Sequence, residues 1–110
     1  MASSLSFVTY VCEQMAQAGD IRFRKMFGEY GIYCNDKIVA LVCDDQLFVK
    51  VTEAGRVLLP QPYLAPPYPQ GTPMFQIENV DDAAFVSALI AATERALPLP
   101  RPRRKKGSRP

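Results

Sequence analysis

Residues 24–36 read RKMFGEYGIYCND. Two glycines stand three apart behind the cations Arg24 and Lys25, with Glu29 between them and Cys34 close by. These residue types suit three chemistries: a phosphate cradle, a nucleophilic thiol, or a basic, aromatic surface for nucleic acid. GEYG is not GxGxxG and has no trailing Lys-Ser/Thr, and it precedes a strand pattern rather than a helix N-terminus. The chain has no histidine, so the commonest general base is missing. Cys12, Cys34 and Cys43 form no CxxC pair and lack zinc-ligand spacing. Lys37 neighbours Cys34 in the expected hairpin and would depress its pKa, but a lone thiol without a base is rarely enough for catalysis. Glu29 beside Arg24 and Lys25 reads as a solvated charge cluster. The expectation is a non-enzymatic chain with no catalytic, metal or cofactor-binding residues.

The elements that must hold these residues follow from periodicity. Leu5, Val8, Cys12 and Met15, widened by Phe7 and Val11, have helical spacing over residues 4–18. Ser3 or Ser4 can cap that helix and Gly19 can end it. Residues 21–27 alternate as a first strand. Gly28 and Gly31 then bound Glu29-Tyr30 as a turn or bulge. GIYC, ND, KIVALVC, DD and QLFVKV (31–51) predict three strands joined by two-residue turns, because Asn and Asp tolerate positive φ. TEAGRVLL (52–59) predicts a short helix capped by Thr52. Six prolines in 60–73 exclude regular structure there. MFQIE (74–78) predicts a last strand. Phe85, Leu89, Ala92 and Ala96 predict a final helix capped within 79–82. Successive hairpins with helices on one face make an α+β, two-layer fold with an antiparallel sheet.

Two-residue loops set the register. Cys34 should oppose Lys37, and Cys43 should oppose Gln46. One face then carries Tyr33, Ile38, Ala40, Val42, Leu47, Val49 and Val51, and should meet the helices. The other carries Ile32, Cys34, Lys37, Val39, Leu41, Cys43, Gln46, Phe48 and Lys50. A one-residue slip would exchange them. On that second, mixed face Ile32, Val39, Leu41 and Phe48 would form an exposed apolar patch, the candidate surface for a protein partner or a homodimer. The alternative cover is the proline-rich loop. The same register puts the Cys34 and Cys43 sulfurs ~20 Å apart at ~3.3 Å per residue, too far for a disulfide.

At 110 residues and 48% hydrophobic content the chain suits one globular domain. Three cysteines argue against a disulfide framework. No run approaches the ~18 apolar residues of a membrane span, and the N-terminus makes a poor signal peptide, so a cytoplasmic location is expected. The net charge of +2 hides a division. Residues 1–100 carry seven Lys/Arg against eleven Asp/Glu, a net −4. Residues 101–110 carry six cations and no acid, a net +6. The expected organisation is a folded body over 1–97 and a disordered basic Pro/Arg/Lys tail over 98–110. Arg101, Arg103, Arg104, Lys105, Lys106 and Arg109 are the candidates for non-specific contact with nucleic acid through its phosphates.

The long run RKMFGEYGIYCNDKIVALVCDDQLFVKV, with its RxMFGxYG stretch, GIY and ALV strands and LFVKVT ending, resembles the N-terminal domain of TfoX/Sxy proteins. PPYPQGTPMFQIE and the acidic helix start after it resemble that family too, so the likeness spans about 5–97. The resemblance implies a secretion-chaperone-like α+β fold. It also implies a bacterial regulatory role in transcription and natural competence, exerted with the transcription machinery or a cyclic-AMP receptor protein. It supplies no catalytic residues and no cofactor. Longer members add a C-terminal helical domain, where this sequence has the basic tail.

Overall fold

The computed structural model describes residues 4–26 and 29–98. Gly28 and the six tail cations lie outside the described residues. The elements run α1 (Leu5–Gln14), a 3-10 turn (Ala16–Ala18), β1 (Ile21–Met26), β2 (Glu29–Cys34), β3 (Lys37–Cys43), β4 (Gln46–Val49), α2 (Glu53–Leu58), β5 (Leu64–Ala65), β6 (Met74–Ile77) and α3 (Ala83–Ala96). The strands form one antiparallel sheet in the order β1-β2-β3-β4-β6-β5. This is the α+β fold the sequence predicts.

Local chemistry explains the boundaries. Each helix starts on a side-chain cap. Ser4 Oγ accepts from the Phe7 N–H at 3.2 Å, Thr52 Oγ1 from Gly55 at 2.9 Å, and Asp82 Oδ1 from Phe85 at 3.1 Å. Both two-residue turns use left-handed backbone: φ is 52° and 71° at Asn35 and Asp36, and 55° and 57° at Asp44 and Asp45. That is the geometry whose twist suits a tight hairpin. Cys34 opposes Lys37 and Cys43 opposes Gln46, as the loop lengths require.

Three expectations are corrected. Met26 pairs with Glu29, so Glu29, Tyr30 and Gly31 belong to β2 rather than to a turn. The proline-rich segment holds one short strand, β5, where Leu64 and Ala65 add to the sheet edge by pairing with Phe75 and Met74. Prolines are tolerated around an edge strand because one side of its backbone needs no ladder partner.

The third correction changes the faces. The β2–β3 register shifts between Ile32 and Tyr33: Tyr33 opposes Ile38, but Ile32 opposes Ala40. Val39 is the extra residue of a bulge, and a bulge reverses the in-out alternation beyond it. Ala40, Val42, Leu47 and Val49 face the helices as expected. Beyond the bulge Ile32, Cys34, Lys37 and Val39 turn to the helices, and Tyr33 and Ile38 turn away. Ile32, Cys34 and Val39 are fully buried in the main core, with Val8 and Val11 of α1, Met15 just after it, Val86, Leu89 and Ile90 of α3, and Phe75 of β6. Gly55 lets α2 join this layer. A Cβ there would stand 2.9 Å from the Phe75 ring and 3.1 Å from Thr52 Oγ1, inside normal contact distance.

Candidate partner groove on the outer sheet face

The sheet face away from the helices is the mixed one. Leu41, Cys43, Phe48 and Lys50 lie on it as the sequence predicts, joined by Ile38 and Met74. Cys43, Phe48 and Met74 form a second, small buried cluster, with Leu41 and Ala65 packed against it. Of the four candidate partner residues, Ile32 and Val39 are withdrawn into the main core by the bulge. Phe48 is buried in the small cluster against which Ala65 of the proline-rich segment packs, and Leu41 is half-buried beside it. The four are therefore not brought together on one surface.

Past β5 the strap of residues 60–73 runs beside the outer sheet face. It leaves a groove of about 940 Å³. Ile38, Leu41 and Cys43 of β3 and Met74 of β6 give it an apolar floor. Pro67, Tyr68 and Pro69 make one wall, and Lys50, Glu29 and Asp44 supply charge at its margins. The strap is held in shape. Tyr63 O accepts from the Gln76 N–H at 2.9 Å, and Tyr68 O from the Gly71 N–H at 2.8 Å. The Tyr68 ring lies over Gly71, where an added Cβ would approach it to 2.9 Å. Proline fixes φ along such a segment, so little entropy remains to lose when something docks on it. Tyr63, Leu64 and Tyr68 stay exposed along the strap, and Val57 and Leu58 on the preceding α2.

The charged margin is tied to the scaffold. Glu29 Oε2 accepts from the Asp44 N–H at 3.2 Å. Asp45 Oδ1 accepts from the Ser4 N–H at 2.8 Å, fastening the start of α1 to the β3–β4 turn.

The thiols are unsuited to nucleophilic work. Burial, then Glu29 and Asp44, push the Cys43 thiol up to about 11. Burial, then Glu13, push Cys12 up to about 11. The Cys34 thiol is also raised, chiefly by burial and then by Glu94 and Asp20. Lys37 lowers it but does not prevail, which corrects the expected activation. Lys37 is engaged elsewhere. Its Nζ donates to the carbonyls of Glu94 at 2.8 Å and Leu97 at 2.9 Å, and lies 3.1 Å from the Glu94 carboxylate. Low-pKa cysteines are the reactive ones. No group of three or more metal-binding side chains lies among the described residues.

Sequence reasoning missed Ile38, Met74 and Tyr68 as groove residues. Ile38 was sent to the wrong face by the unforeseen bulge. Tyr68 was visible as an aromatic among prolines, but nothing in the sequence says which face the strap crosses.

The chain thus folds as a two-layer α+β domain whose outer sheet face carries a groove beside a proline-rich strap. The TfoX N-terminal domain family matches residues 13–86, more than half of the chain, and the chain belongs to that family. The family is of a regulatory, non-catalytic type. The chain is also 33% identical over 111 residues to an uncharacterized 12.7 kDa protein in the trpE 5′ region of Spirochaeta aurantia, a match that covers 100% of this chain and 96% of that protein. No helix among the described residues is long and apolar enough to cross a membrane.

Proposed function

We propose that this protein is a cytoplasmic regulatory binding module that acts in transcriptional control through protein contacts, with the outer-face groove as its docking site. The observation that carries the reading is the groove itself: an apolar floor, a rigid Pro-Tyr wall and one marginal cation, Lys50. That arrangement suits an extended or helical protein segment with apolar anchors. Membership of a regulatory family supports it. Competence regulation with a cyclic-AMP receptor protein is the most specific form of the proposal.

The test is a titration of the labelled protein with the purified cyclic-AMP receptor protein and, separately, RNA polymerase of the same cell. Binding that Lys50→Glu and Tyr68→Ala each weaken about tenfold supports the groove, in line with loss of an anchor worth ~1.4 kcal/mol. Binding indifferent to both variants removes the groove, and no binding to either partner removes the transcriptional reading. A second reading rests on the +6 of residues 101–110. Those cations would add non-specific, salt-sensitive affinity for nucleic acid.

A further inference from the structure

The sheet has two edges, and they differ. One is β5, only two residues long. The other is β1, six residues long and, among the described residues, paired with β2 alone. A strand of that length in an edge position presents a row of backbone donors and acceptors to any extended chain.

The register says which groups those are. The Asn35 N–H donates to Asp20 O at 3.0 Å, and Asp20 N–H donates to the Asn35 side chain at 3.0 Å. The backbone of residue 20 therefore points at β2. Alternation along an antiparallel ladder then turns Arg22 and Arg24 toward β2 and leaves the N–H and C=O of Ile21, Phe23 and Lys25 on the open side. The side chains alternate in the other direction. Phe23 and Lys25 oppose Ile32 and Tyr30 and so share the helix side, where Phe23 remains 38% exposed and meets the Tyr30 ring edge-on. Arg22 and Arg24 oppose Tyr33 and Gly31 on the outer side and are exposed. Arg22 has an exposed ion pair with Asp20, and Arg24 and Lys25 have no acidic partner among the described residues.

We infer that β1 is a docking edge for an acidic, extended segment of another protein, which adds to the sheet as a seventh strand. The charge pattern selects the occupant. A second copy would have to lay β1 against β1. An antiparallel pair centred on Phe23 sets Arg22 against Arg24, and one centred on Arg24 sets that residue against itself. Like charges directly opposite are unfavourable. An acidic strand reverses the sign. Carboxylates opposite Arg22 and Arg24 would form cross-strand pairs on the outer side, and an apolar residue opposite Phe23 would cover its exposed ring. The code is acidic–apolar–acidic, read over β1 and separate from the groove, so this edge stands or falls independently of the groove proposal.

The probe is the synthetic peptide acetyl-SEVEVES-amide, which reads the same in either direction and so fits either strand polarity. Its controls are the permuted acetyl-SEEEVVS-amide and the basic acetyl-SKVKVKS-amide. Titration of the isotope-labelled full chain by NMR, with amide exchange at saturation, gives the readout. The expected result is binding of the alternating peptide that weakens as salt rises, with slowed exchange at the amides of Ile21, Phe23 and Lys25. The double variant Arg22→Glu, Arg24→Glu, checked for folding by circular dichroism, should bind at least about tenfold more weakly. Absence of binding overturns the inference. So does equal binding of the permuted or basic peptide, binding that leaves the three edge amides unprotected, full affinity in the double variant, or a solution dimer that protects the same amides.

Discussion

Lys37 and the three cysteines show how burial decides what a reactive group can do. Lys37 has a side chain only 11% exposed, and three acceptors surround its Nζ: the Glu94 carboxylate and two carbonyls at the end of α3. A cation there also complements the negative end of the helix macrodipole. It is a clamp between the β2–β3 turn and α3, not an activator of Cys34. The thiols have no such compensation, so burial raises them. The folded pKa of Cys12 and Cys43, about 11, lies above the ordinary 9. Folding thus favours the protonated thiols. That contribution is fully present below pH ~9 and is lost as pH rises through ~11. Alkylation by iodoacetamide should accordingly be slow at pH 8 and climb roughly tenfold per pH unit to at least pH 10, because only thiolate reacts. A rate plateau beginning near pH 9, followed by peptide mapping of Cys12 and Cys43, would contradict the burial described here.

At the scale of elements the decisive feature is the bulge at Val39. It carries Ile32, Cys34, Lys37 and Val39 to the helix side, and without it Lys37 could not reach α3. The paired variants Ile32→Asp and Tyr33→Asp test it directly. With the bulge, Ile32→Asp buries an unpaired carboxylate in the main core and should cost at least about 4 kcal/mol or unfold the domain. Tyr33→Asp, on the half-exposed outer side, should cost about 1 kcal/mol. Chemical denaturation of both variants gives the answer, and a reversed order would restore the unbulged register. Much of the fold is legible in the sequence for a physical reason. Asn35-Asp36 and Asp44-Asp45 announce left-handed turns, and turn length fixes the pairing beside each turn. Ser4, Thr52 and Asp82 announce helix starts. The bulge is not legible, because Ile38, Val39 and Ala40 are all apolar and fit either face equally. Two of the four surface candidates were lost to that one inserted residue. The groove was illegible for a different reason: its wall is a proline strap whose path is set by tertiary packing, not by any local period.

Over the whole molecule the charge is divided between a body of net −4 and a terminal stretch, 101–110, of net +6. An acidic body repels the phosphate backbone, so the folded domain by itself is expected to bind DNA poorly. Any duplex affinity should therefore reside in Arg101, Arg103, Arg104, Lys105, Lys106 and Arg109. Six phosphate contacts at most give a log–log salt slope no steeper than about −5, with indifference to sequence, since phosphates carry none. The measurement is a fluorescence titration of two unrelated duplexes at several salt concentrations, for the full chain and for a chain ending at residue 100. The expected result is a salt-sensitive, sequence-blind affinity that disappears with the ten terminal residues. If the shortened chain binds one duplex in preference to the other, the folded domain is itself a reader of DNA, and the protein-contact function proposed for the groove loses its priority. If neither chain binds, the cations serve no nucleic-acid role, and regulation must act through protein surfaces alone.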